Sequence, residues 1–111
     1  MDQRHEELLR QLAVLDHDTL ESVLGIDSGV DRGCGLDART AGLVRLSGLV
    51  ALQSAPQAYE WGVAAALTAG CSEEEVVAVL ATLAPVIGAA RVSKAAADIA
   101  TSIGCDAARP G

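Results

Sequence analysis

The chain has 111 residues, 8 basic and 15 acidic side chains, and a formal net charge of -7. That length supports one domain, and half of it is apolar, so a packed core is expected rather than a disordered chain. The acidic balance excludes nucleic acid as a partner, because phosphate binding needs a basic face, and argues equally against an anionic membrane surface.

The sequence reads as helices from end to end. Leu8, Leu9, Leu12 and Leu15 form a helical stripe that predicts a first helix over residues 3–14. Asp16 or Asp18 can cap a short second helix carrying Leu20, Val23 and Leu24, with Gly25 to end it. A Gly- and Asp-rich loop follows. Asp37 caps a third helix over residues 38–53. Pro56 suits the first turn of a fourth, which stops at Gly70, a good left-handed terminator. Ser72 with Glu75 forms a capping box for a fifth helix, which Pro85 and Gly88 bend or end. A sixth covers about residues 90–103 and closes at Gly104. The expected organisation is a single all-α domain over residues 1–104, with its core at 35–96 and a short polar tail at 105–111.

Other features narrow the class. The three cysteines, Cys34, Cys71 and Cys105, include no Cys-x-x-Cys pair, so neither a zinc knuckle nor a dithiol redox motif is expected. No cofactor and no metal are implied. No uncharged stretch approaches the roughly 20 apolar residues of a spanning helix, and the charged amino terminus does not read as a secretory signal. The expected compartment is the cytoplasm. The only aromatic residues are Tyr59 and Trp61, so small aliphatic side chains must build the core. The third and fifth helices are apolar on most faces, and such helices are buried all round. A domain this small rarely buries two helices fully, which predicts a homo-oligomer.

Several short patterns occur together and in order. Arg32 precedes Gly35-Leu36-Asp37. Pro56 opens a helix ending in Ala66-Leu67-x-x-Gly70. Ser72-x-Glu74-Glu75 follows, then Leu83-Ala84-Pro85 and Gly88. This ordered set resembles the carboxymuconolactone decarboxylase family, which includes the alkylhydroperoxidase D-like proteins. The likeness runs from about residue 35 to 96 and, more weakly, from 15 to 104. It implies an all-helical fold with a central helical hairpin, assembled as trimers or hexamers. The reactive groups of that family do not carry over. Where the peroxidase branch has Cys-x-x-Cys and a His, this chain has Ala55, Ala58 and Gly62, and the branch's preceding acid falls near Gly42. Where the decarboxylase branch has Trp-His, it has Trp61-Gly62. Val86 and Ala90 replace a Tyr and a Pro.

The remaining candidates for a site are Arg45, Tyr59, Glu60, Trp61 and Gly62. Arg45 interrupts an apolar helix, where a charge is costly unless paired. It suits a carboxylate in a bidentate fork, or an acid on a neighbouring subunit. Glu60 is the candidate replacement for the missing proton-transfer group. Gly62 leaves room beside Tyr59 and Trp61 for a ligand pocket, or else serves close helix packing. Arg91 and Lys94 read as solvated surface or a carboxylate-binding rim. Cys71 reads as a buried filler, and His5 and His17 as surface groups.

The leading expectation is a divergent member that binds a small carboxylate or lactone and transforms it without the usual His. The alternatives are a non-catalytic structural or partner subunit and, third, a peroxidase-type thiol activity.

Overall fold

The computed structural model describes residues 2–15, 18 and 35–104 of the chain. Among them every regular element is a helix: α1 (Gln3–Val14), α2 (Ala38–Ala51), α3 (Pro56–Thr68), α4 (Glu73–Ile87) and α5 (Ala89–Ser102). The short helix expected at Asp16 to Leu24 and the tail from Cys105 lie outside the described residues, as do Arg32 and His17.

Local chemistry sets the helix ends. The Asp37 carboxylate accepts the Thr40 N–H at 2.7 Å and caps α2, satisfying one of the amides a helix start leaves open. Pro56 occupies the first turn of α3, where its missing N–H costs nothing. At α4 the capping box is complete: Ser72 Oγ accepts the Glu75 N–H, and a Glu75 carboxylate oxygen accepts the Ser72 N–H, both at 3.0 Å. Pro85 does not end this helix, which runs on to Ile87. Gly88, at φ 93°, ends it and opens α5 directly. A Pro removes one intrahelical bond, and so close to the carboxyl end that loss is small.

Helices α2 to α5 form the packed body, with α2 and α3 in the most extensive contact. The core is aliphatic and small: Leu46, Val50, Val63, Ala66, Val76, Leu80, Ala95 and Ile99, with Cys71 and one aromatic, Tyr59. The apolar α4 buries only Val76 and Leu80, and α2 only Gly42, Leu46 and Val50. The described residues of one chain therefore do not enclose these helices. Helix α1 has an Asp2 cap and no buried residue.

Candidate functional site

Two glycines let α2 and α3 approach closely as an antiparallel pair. A Cβ on Gly42 would lie 3.3 Å from the Ala66 Cα, and one on Gly62 would lie 2.7 Å from Leu49 Cδ1 and 3.5 Å from Leu46 Cδ1. The space left by the missing side chain at Gly62 is therefore filled by Leu49 rather than open. Along one edge of this seam Gly42, Arg45, Trp61, Gly62, Ala65 and Ala69 line a narrow cleft of about 10 Å³. That is room for about one water.

The structure brings Arg45, Trp61 and Gly62 together and places Tyr59 and Glu60 elsewhere. Arg45 is half-buried and has no ion pair or side-chain hydrogen bond among the described residues. Trp61 is 59% exposed, whereas Tyr59 is 2% exposed. Residues two apart on a helix point away from each other, so Tyr59 turns into the core with Val63 and Ala66 while Trp61 turns to the seam edge. Burial, then the nearby Asp98 charge, push the Tyr59 hydroxyl above its usual pKa, which keeps it a neutral core group. Glu60 is exposed and lines a separate recess of about 210 Å³ with Pro56, Asp98, Thr101 and Ser102. The two hydroxyls there already donate to the Ala97 and Asp98 carbonyls.

Other candidates take structural positions. Cys71 is buried, and its thiol donates to the Arg39 carbonyl at 3.4 Å. Burial first, and the Glu75 charge second, raise its pKa, opposite to the shift that makes a reactive thiolate. Arg91 and Lys94 are exposed on α5, and His5 is exposed on α1. No group of three or more metal-ligating side chains occurs among the described residues, and no helix among them is long and apolar enough to cross a membrane.

Two features were missed in the sequence reading. One is an ion pair between Arg39 and Glu75, which ties the start of α2 to the start of α4. The Ser72 N–H bond first, and Arg39 second, hold the Glu75 carboxyl below its usual pKa. The other is an open groove of about 420 Å³ between α2 and α4, with Leu43, Val44, Val79 and Leu83 as its apolar lining. Its signal was present as helical spacing: 40, 43, 44, 47 on α2 and 75, 78, 79, 82, 83 on α4.

The all-helical body with its α2–α3 hairpin defines a carboxymuconolactone decarboxylase-like helical protein. The sequence matches the model of the carboxymuconolactone decarboxylase family over residues 17–102, and the chain belongs to that family. No curated protein and no solved structure matches it.

Proposed function

We propose that this family member binds a small carboxylate or lactone at the edge of the α2–α3 seam, between Arg45 and Trp61. One observation carries the reading: a half-buried guanidinium with no acid partner among the described residues, beside an exposed indole on one cleft. A charge held partly out of water calls for a counter-charge. A guanidinium fork matches a carboxylate or a lactone carbonyl oxygen, and the indole offers a flat apolar face to the rest of the ligand. The cleft itself holds about one water, so the ligand lies against its outer side and a neighbouring subunit covers it. On this reading the chain is a cytoplasmic homo-oligomer, a trimer or hexamer.

Among the described residues no proton-transfer side chain lines the cleft, so any turnover is read as resting on Arg45 stabilising a developing oxyanion. A second reading, a non-catalytic structural subunit, is supported by Leu49 filling the space at Gly62. A thiol-peroxidase reading finds no support in Cys71, whose buried thiol has a raised pKa.

Trp61 is the chain's single tryptophan, so fluorescence excited at the red edge, where Tyr59 does not absorb, reads this site alone. Titration with short dicarboxylates and γ-lactones is expected to give a saturable change. Arg45→Ala, with unchanged helical circular dichroism, is expected to weaken binding about tenfold or more, in line with the loss of a charged hydrogen bond. Equal affinity in that variant overturns the site. Silence across the whole panel in the intact protein favours the structural subunit.

A further inference from the structure

We propose that Leu49 is the stop that sets how long a ligand the Arg45–Trp61 cleft holds, so that the native chain is fitted to a carboxylate with a short apolar part. The inference rests on the binding reading above and narrows the substrate class of that same cleft. On α2 the cleft is lined by Ala38, Gly42 and Arg45, at intervals of four and three. Residues at such intervals share one helix face, and the next step of four along that face is Leu49. On α3 the facing residues are Ala69, Ala65 and Gly62, again at intervals of four and three. The two helices run antiparallel, with Gly42 against Ala66 and Ala69 and Leu49 against Gly62. Leu49 therefore stands where the α3 row ends.

The contact at Gly62 fixes the length. A β-carbon there would lie 2.7 Å from Leu49 Cδ1, so the leucine methyl already takes the room beyond the last cleft residue. Arg45 and Leu49 are one turn apart on α2, about 6 Å along the axis. A carboxylate held at Arg45 thus has room for a short tail beside Trp61, and further methylenes meet Leu49 and stay in water. Leu49 is half-buried and packs at the margin of the core rather than within it. Trimming it opens space next to Gly62, which has no side chain to fill that space. An aliphatic tail that enters it leaves water, which is worth about fourfold in affinity per methylene.

The test is isothermal titration calorimetry of the full chain with acetate and with butyrate. The proteins are the wild type, Leu49→Ala and Leu49→Val, each with and without Arg45→Ala. Circular dichroism checks that the helices persist. The quantity read is the affinity ratio of butyrate to acetate within each protein. It is expected to lie near one in the wild type. In Leu49→Ala, which removes three carbons, it is expected to reach about sixteenfold, fourfold for each of the two added methylenes. Leu49→Val, which removes one carbon, is expected to fall between them. Arg45→Ala is expected to weaken both acids in every background. Arg45-dependent binding with one ratio in all three proteins overturns the stop and leaves the site standing. Binding that does not depend on Arg45, or no binding at all, overturns the site and the stop together. Loss of helical structure in both Leu49 variants overturns the stop as well, because the leucine would then be holding the fold rather than bounding a ligand.

Discussion

At Gly62 the missing side chain and its neighbour belong together. Leu49 Cδ1 occupies the space that a β-carbon would need, at 2.7 Å from it. A side chain at this position therefore requires Leu49 to move aside. Gly62→His drives an imidazole into a closed helix contact, and overpacking of that kind costs about 1–3 kcal/mol. Urea denaturation is expected to show that loss, and adding Leu49→Ala is expected to recover part of it by reopening the space. Unchanged stability in Gly62→His would show that the seam yields freely, and the packing account of Gly62 would fall. Arg45 and Trp61 line the cleft at the edge of the same seam. The residues that hold α2 against α3 thus lie beside the ones proposed to meet a ligand.

At the scale of elements, Glu75 has two roles. It completes the α4 cap, and it joins α4 to α2 through Arg39. Both interactions favour the carboxylate, so its pKa in the fold lies below the usual carboxylate value. A depressed carboxyl pKa gives stability that is present above the unfolded value and is lost as pH falls through the folded one. The wild type is expected to lose melting temperature steadily as pH drops below about 4.5. Glu75→Gln keeps an oxygen to accept the Ser72 N–H but has no charge for Arg39. The wild-type advantage over this variant is expected to shrink towards zero in acid, leaving the slope from Asp37, whose carboxyl is also held low, first by the Thr40 N–H. Parallel melting curves for the two proteins down to pH 3 would sink the argument. The ends of these helices were legible in the sequence because short-range chemistry fixes them: Asp37, Pro56, the Ser72–Glu75 box and Gly88 each act within one turn. The site was legible only in part. Adjacency in the chain grouped Tyr59, Glu60 and Trp61, whereas the helical rotation sends them to the core, a polar recess and the seam edge. The Arg39–Glu75 pair joins residues 36 apart in the chain, and no local pattern announces such a contact.

The whole molecule has a small core and a large apolar exterior. Its buried side chains are mostly Val, Leu, Ile and Ala, with one tyrosine, while Val44, Leu52, Trp61, Val77 and Val86 remain more than half exposed. Sequence alone pointed to α2 and α4 as helices buried all round, and the described residues of one chain do not bury them. Apolar surface of this extent marks an interaction face, and a small body with few large core residues gains much of its stability from whatever covers it. If assembly covers these faces, folding and association are linked by mass action: raising subunit concentration stabilises the native form, and a hundredfold increase is worth up to about 2.7 kcal/mol. For a domain of this size that energy moves the melting temperature by roughly 10 °C or more. Calorimetry from about 1 to about 100 µM is expected to show this rise. A wild-type melting temperature independent of concentration, together with a monomeric mass, would mean that the aliphatic core suffices alone. The exposed residues of α2 and α4 would then have to be explained by a partner other than a second copy.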